Sequence, residues 1–178
     1  MNSGPKRAAF LDRDGVINLD HGYIGRPEDF ELCPGVPEAL QRLRDNGFAL
    51  IVVTNQSGIG RGYFAESDYQ AVTQRMVSAL AGHGLELAAV MHCPHTPDAG
   101  CTCRKPQPGL ILSAAARLGI DLHRSAMFGD KTSDVTAGRA AGVGRCFFVG
   151  PAEQAPAGAD GHGADLLSCV GLLLADQA

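Results

Sequence analysis

Residues 48–55, Phe48-Ala49-Leu50-Ile51-Val52-Val53-Thr54-Asn55, run as six apolar residues with several β-branched side chains and end on two polar ones. A short continuous apolar run of this kind reads as a strand buried on both faces. Upstream, Ala8-Ala9-Phe10-Leu11 has the same form and ends on Asp12. Between the two, Val36, Ala39, Leu40 and Leu43 keep i, i+3, i+4, i+7 spacing, with Pro34-Gly35 ahead and Asn46-Gly47 behind. That predicts strand, helix, strand. The pattern repeats downstream. Tyr69, Val72, Met76 and Leu80 mark one face of a helix before an apolar strand at Leu87–Met91. A helix over Leu110–Leu118 precedes a strand at Ser125–Phe128, and one over Thr132–Ala141 precedes a strand at Cys146–Val149. Alternation of this sort implies an α/β fold, a three-layer Rossmann-like sandwich with a mostly parallel central sheet. Pro151 to Gly163 reads as an exposed loop before a last helix around Asp165–Leu174. Nothing repeats internally, and one domain over residues 1–178 is expected.

Composition narrows the class. The chain has 178 residues with 15 Lys+Arg against 19 Asp+Glu, a formal charge of −4 that argues against a general nucleic-acid binder. At 45% hydrophobic and 19% charged residues, it is far from a disordered composition. With 23 glycines, no Trp and 6% aromatics, tight backbone turns are favoured over an aromatic-lined groove. No stretch approaches the roughly 18 to 20 apolar residues of a membrane span. Asp12 and Asp14 follow the first residues too soon for a signal-peptide core, so a cytoplasmic protein is expected.

Polar residues concentrate where the strands end: Asp12-Arg13-Asp14-Gly15, Thr54-Asn55-Gln56-Ser57-Gly58, and Gly129-Asp130-Lys131 with Asp134. In a parallel sheet these ends share one edge, and with Arg104-Lys105-Pro106 they would converge on one cleft. Two aspartates at i, i+2 and a third from another strand make an oxygen-rich site that suits Mg²⁺. A cation there, the Thr54 hydroxyl and the Lys105 ammonium would form a cradle for a phosphoryl group. Taken singly, Asp14-Gly15 more often marks a turn and Thr54 could cap a helix; four clusters at successive crossovers are hard to explain as loops alone.

Six cysteines divide into two kinds. Cys33, Cys146 and Cys169 are scattered, whereas Cys93-Pro94-His95-Thr96-Pro97-Asp98-Ala99-Gly100-Cys101-Thr102-Cys103 places three sulfurs and one imidazole in eleven residues. Cys93, His95, Cys101 and Cys103 are the Cys3His set that Zn²⁺ takes in closed structural sites, with a disulfide or free thiols as the alternative. Four protein ligands leave no open position, so zinc would hold the loop, and with it Lys105, rather than activate water.

The four motifs, taken in order over residues 8–150, resemble those of the haloacid dehalogenase superfamily of phosphatases. Within it, Asp20-His21-Gly22-Tyr23, Thr54 to Gly62, the cysteine loop and Gly129-Asp130-Lys131 most resemble the D-glycero-D-manno-heptose-1,7-bisphosphate 7-phosphatases. The histidinol-phosphate phosphatases, with a similar zinc loop, are the nearest rival. Only five residues separate His95 from Cys101, so that loop does not choose between them, while Asp20 to Tyr23 and Gly60-Arg61-Gly62 tip toward heptose.

The resemblance implies a role for each motif residue. Asp12 would be the nucleophile that forms an aspartyl-phosphate, and Asp14 would protonate the leaving sugar oxygen and then activate water. Mg²⁺ would lie between the Asp12 and Asp130 carboxylates and the Asp14 backbone carbonyl. Thr54 would donate to the phosphoryl group and Lys105 offset its charge, while Asp134 would orient Lys105 or metal-bound water. Substrate contacts would fall to Asp20, His21, Gly22, Tyr23, Asn55, Gln56, Ser57, Arg104 and Lys131, the two basic residues holding the distal phosphate. Arg61 reads as a solvated loop arginine and His92 as a packed or exposed histidine. The expected protein is a small monomeric phosphatase without a large cap domain, acting on a phosphorylated sugar for the heptose of lipopolysaccharide. It would have no nucleic-acid or membrane partner. Histidinol-phosphate hydrolysis and a non-catalytic zinc-loop binding module are the alternatives.

Overall fold

A computed structural model describes residues 6–176. The domain expected over 1–178 also takes in residues 1–5 and 177–178, which lie outside the described residues. Six strands, β1 (Arg7–Leu11), β2 (Phe48–Asn55), β3 (Ala89–Cys93), β4 (Ala126–Gly129), β5 (Arg145–Val149) and β6 (Gly161–Gly163), form one sheet in the order β3-β2-β1-β4-β5-β6. Every neighbouring pair is parallel. The helices are α1 (Val36–Asp45), α2 (Ser57–Gly60), α3 (Glu66–Ala81), α4 (Gly109–Leu118), α5 (Thr132–Ala141) and α6 (Leu166–Ala175).

Each inner strand feeds two cores by alternation. Ala9 and Leu11 of β1, Leu50 and Val52 of β2, and Phe147 of β5 face a cluster closed by α1, α3 and α6. Ala8, Phe10, Ile51, Val53 and Cys146 face the opposite cluster, closed by α4 and α5. Burial on both faces is why these strands read as unbroken apolar runs. The predicted stripes hold: Val36, Ala39, Leu40 and Leu43 are the buried residues of α1, and Tyr69, Val72, Met76 and Leu80 those of α3. The left-handed backbone of Gly35 (φ 78°) at the start of α1 and of Gly47 (φ 75°) beyond its end explains glycine at both places.

Several boundaries differ from expectation, β4 by one residue at Ala126–Gly129 rather than Ser125–Phe128. β3 occupies Ala89–Cys93 rather than Leu87–Met91, because the ladder with β2 begins at Ile51↔Ala89 and runs on to Asn55↔Cys93. The stretch expected as a loop from Pro151 to Gly163 contains a short 3-10 turn at Ala152–Gln154 and ends in β6. β6 is held by its backbone against β5, and Gly161 fits there because a Cβ would come within 3.3 Å of the Phe147 ring. Asp165, expected inside the last helix, instead caps it by accepting the Ser168 N–H at 2.7 Å.

The chain runs from β1 outward to β3 on one side, then returns to build β4 to β6 on the other. The strand order therefore reverses between β1 and β4, whose carboxyl ends carry Asp12 and Asp130, and a crevice at such a reversal is where open α/β sheets bind ligands. Among the described residues, no helix is long and apolar enough to cross a membrane.

Candidate active site

The cleft above the β1–β4 reversal has a volume of about 630 Å³. Asp14, Asp20, Gly22, Tyr23, Asn55, Gln56, Ser57, Arg104, Lys105 and Lys131, all picked out in the sequence, line it. Cys101 and Pro97 of the cysteine loop contribute one wall. Of the expected substrate contacts, His21 is exposed and stands outside this lining.

Asp12, the first residue after β1, is 5% exposed, and its backbone N–H donates to the Phe128 carbonyl of β4 at 3.0 Å. Its Oδ1 accepts from Lys105 Nζ at 2.7 Å. The ammonium also donates to the Val53 carbonyl at 2.7 Å and pairs with Asp134 Oδ1 at 2.6 Å. Burial alone would lower the pKa of the Lys105 ammonium, but Asp12 and Asp134 outweigh it and hold it above its ordinary range. Burial pushes the Asp12 carboxyl up to about 7, against the pull of Lys105 and with help from Asp134.

Asn55 sets the backbone of Lys105: its Nδ2 donates to the Lys105 carbonyl and its Oδ1 accepts the Lys105 N–H, both at 3.0 Å. The amide that faces the cleft thus also fixes the lysine that enters it. Asp134, at 1% exposure, accepts the Lys131 N–H at 3.0 Å across the first turn of α5 while its other oxygen holds Lys105. In that geometry it touches the lysine directly. Lys131 Nζ lies 3.6 Å from Asp20 and 3.8 Å from Asp130, which aims it across the cleft mouth.

Arg13 is a site residue that sequence reasoning missed. It is fully buried between two aspartates, and its guanidinium grips the Asp14 carboxylate through Nε at 3.1 Å and Nη2 at 3.0 Å. Asn18 Nδ2 (3.0 Å) and Gln56 Nε2 (2.9 Å) donate to the same carboxylate, and Gln56 reaches the Thr54 hydroxyl at 2.9 Å as well. Thr54 therefore accepts from Gln56 and caps no helix. The available signal was an arginine between two carboxylates at a strand end, where an unpaired guanidinium could not be buried.

The oxygen donors fit a divalent cation. Asp12, Asp130 and Asp134 offer carboxylate oxygens within 4.8 Å of one another, and the buried Asp130 Oδ1 has no hydrogen-bond partner. Burial raises the Asp130 carboxyl as well, against the pull of Lys131 and with help from Asp134. Hard carboxylate oxygens are the ligands Mg²⁺ selects. Gly15 keeps the site open: its φ is +85°, and a Cβ would sit 2.2 Å from Asp130 Oδ2. Gly15→Ala is expected to lose about 1–2 kcal/mol from the left-handed backbone alone. Displacing Asp130 should also lower kcat/KM by ~10²-fold and raise the Mg²⁺ concentration for half-maximal rate. Denaturant unfolding and a Mg²⁺ titration of the rate check the two effects separately.

The cysteine loop is preorganised. Cys93 Sγ lies 3.6 Å from Cys101 and 3.2 Å from Cys103, and His95 Nδ1 lies 3.4 Å from Cys93 and 3.3 Å from Cys103. These four atoms sit within 4.8 Å of one another, as four ligands of one tetrahedral zinc require, and all six cysteines are free of disulfides. Burial pushes the Cys93 thiol up to about 12. Burial opposes ionisation at Cys101 too, yet the Arg104 N–H and the neighbouring thiols bring it down to about 6. His92, next to the loop, is packed: its ring lies 4.1 Å from that of Tyr69 and Nε2 pairs with Glu66 at 3.0 Å. Arg61 is exposed, as expected.

A buried aspartate held by lysine, beside the unpartnered Asp130 Oδ1 at a parallel-sheet reversal, is an arrangement suited to phosphoryl transfer. The haloacid dehalogenase-like hydrolase family matches residues 6–142. The D-glycero-beta-D-manno-heptose-1,7-bisphosphate 7-phosphatase of Photorhabdus laumondii is 47% identical over 149 residues, 80% of this chain and 79% of its own. The D-glycero-alpha-D-manno-heptose-1,7-bisphosphate 7-phosphatase of the same organism is 43% identical over 156 residues, 84% of this chain and 85% of its own. Among solved structures, the D,D-heptose 1,7-bisphosphate phosphatase of B. bronchiseptica, complexed with magnesium and phosphate, superposes with a TM-score of 0.86 at 33% identity. That match covers 96% of this chain and 99% of the other. The chain belongs to the haloacid dehalogenase-like hydrolases and, within them, to the heptose-bisphosphate phosphatase family.

Proposed function

We propose that the chain removes the 7-phosphate of D-glycero-D-manno-heptose 1,7-bisphosphate, a step toward the heptose of lipopolysaccharide. The observation that carries the reading is the meeting in one cleft of the Asp12–Lys105 pair with the Asp20–Tyr23 loop and the cations Arg104 and Lys131. Similarity to enzymes that bear this activity in name supports it.

In the first step an Asp12 carboxylate oxygen attacks phosphorus, the bond from phosphorus to the sugar C7 oxygen breaks, and Asp14 gives its proton to that oxygen. In the second, a water oxygen attacks the phosphorus of the acyl phosphate, Asp14 takes the water proton, and Asp12 leaves as carboxylate. Arg13, Asn18 and Gln56 hold Asp14 as an acceptor, the form needed for the second step; for the first it carries a proton and one of these donors is released. Lys105, tied to Asp12 and Asp134, stands where it can offset charge on the equatorial phosphoryl oxygens. The Thr54 hydroxyl, already accepting from Gln56, keeps its own proton free to donate. Asp12, Asp130 and the Asp14 carbonyl would hold Mg²⁺, which supplies positive charge against the repulsion between nucleophile and substrate. Arg104 and Lys131 would bind the distal phosphate, whose distance from the chemistry makes it an anchor rather than a second target. Zn²⁺ on Cys93, His95, Cys101 and Cys103 would keep the loop, and so Lys105, in place.

Steady-state phosphate release tests the substrate. The α and β anomers of the heptose bisphosphate and histidinol phosphate are assayed in parallel with Mg²⁺ present. The expected result is a kcat/KM for a heptose anomer at least ~10²-fold above that for histidinol phosphate, the discrimination that unpaired polar groups in a site can impose. A preference for histidinol phosphate overturns the reading.

A further inference from the structure

The segment Gly58-Ile59-Gly60-Arg61-Gly62-Tyr63-Phe64 leaves the cleft at Gly58 and takes no part in the chemistry above, yet it is built with unusual closeness to its neighbours. At one end Gly60 donates its N–H to the Pro94 carbonyl of the cysteine loop at 2.9 Å, and a Cβ on Gly60 would lie 2.6 Å from that carbonyl oxygen. At the other end the Phe64 ring fills the space between Gly58 and Gly25: a Cβ would lie 2.3 Å from the ring at Gly58 and 2.9 Å at Gly25. The turn between is closed by the Tyr63 N–H to the Gly58 carbonyl at 2.8 Å and by left-handed Gly62 at φ +73°. Tyr63 then meets Tyr23 edge to face, with ring centroids 4.8 Å apart and an interplanar angle of 87°. Tyr23 lines the cleft, and it is the one non-glycine position with positive φ (48°) among the described residues.

A tyrosine in that backbone conformation, 54% exposed, needs outside support to hold one position. The contacts that could give it come from Tyr63 against its ring and Phe64 against the loop that carries it. We propose that Tyr63 and Phe64 are positioning residues that set Tyr23 over the cleft and so favour a substrate with a sugar body, large enough to touch Tyr23, over a small phosphomonoester. The proposal rests on the reading of the cleft as a sugar-phosphate site. The same bracket ties the Tyr23 loop to the cysteine loop, through Phe64 against Gly25 and Gly60 against Pro94. Aromatic edge-to-face geometry has the magnitude required, since such a contact is worth a factor of roughly threefold to tenfold in an equilibrium constant.

The test compares wild type, Tyr63→Ala and Tyr63→Phe on heptose 1,7-bisphosphate and on p-nitrophenyl phosphate, a small phosphomonoester with no sugar body. For Tyr63→Ala, KM for the bisphosphate should rise roughly threefold to tenfold with kcat within about twofold of wild type. Its kcat/KM on p-nitrophenyl phosphate should be unchanged. Tyr63→Phe keeps the ring contact and should behave as wild type on both. Equal losses on the two substrates, an unchanged bisphosphate KM, or a phenylalanine variant as impaired as the alanine one would each overturn the proposal. Wild type inactive on the bisphosphate would overturn the sugar-phosphate reading itself, before any variant is compared. The protein has no Trp and three tyrosines, so tyrosine emission offers a second readout. Bisphosphate binding should change the emission of wild type more than that of Tyr23→Phe, and equal responses count against Tyr23 as the group that meets the sugar.

Discussion

Asp12→Asn is expected to lower phosphate release by ~10⁴-fold or more, because an amide oxygen cannot replace the carboxylate that attacks phosphorus and leaves again as an anion. The fold should survive the change. Lys105 keeps the Asp134 carboxylate at 2.6 Å and the Val53 carbonyl at 2.7 Å, so the ammonium is not left alone in the core. Burial already disfavours the charge on Asp12, pushing its carboxyl up to about 7, and a neutral amide of the same shape avoids that cost. Without Mg²⁺ the variant should therefore unfold at or above the wild-type temperature at pH 8. Turnover and thermal unfolding measured on the same preparations separate chemistry from folding. Residual turnover above about 1% would remove Asp12 from the nucleophile role.

The second large effect is at the cysteine loop. Cys103→Ser should abolish zinc retention, from one equivalent in wild type by elemental analysis, and lower kcat/KM by ~10²-fold through misplacement of Lys105. The path is short in sequence and in space. Cys103 is two residues from Lys105, and Gly109 at the start of α4 donates its N–H to the Thr102 carbonyl at 3.1 Å, a packing so close that a Cβ would lie 2.3 Å from that oxygen. Arg104 Nη1 reaches back to the His95 carbonyl at 3.3 Å, so both flanks of the lysine are tied to the loop. Chelation that removes Mg²⁺ should leave this zinc in place, since its four ligands close the coordination sphere. A zinc-free protein with full activity and unchanged thermal unfolding would contradict the assignment.

How much of each element is legible in the sequence depends on what that element needs. β1 and β2 are buried on both faces, so their apolar runs announce them, and the helices that cover them carry a stripe because only one face is buried. β3 begins two residues later than its apolar run, because Leu87 and Ala88 extend the run while the ladder starts at Ala89. β6 is invisible for the opposite reason. Gly161-His162-Gly163 pairs through backbone groups alone and has no side-chain signal to read. The site divides in the same way. Asp12, Asp14, Lys105 and Asp130 stand at strand or loop ends where their chemistry is local to a motif. Arg13 escapes notice because its partner is its neighbour: only burial shows that an arginine beside Asp14 is a clamp and not a solvated charge. The second task of Asn55, holding the Lys105 backbone, joins residues 50 positions apart that no local pattern connects.

A single sample tests the central claim most directly: equimolar heptose 1,7-bisphosphate and histidinol phosphate, with enzyme and Mg²⁺, followed by phosphorus NMR. The C7 phosphomonoester resonance should convert to inorganic phosphate while the C1 and histidinol phosphate resonances persist, and addition of chelator in excess of Mg²⁺ should stop the conversion. Consumption of histidinol phosphate first, or loss of the C1 resonance together with that of C7, would contradict it.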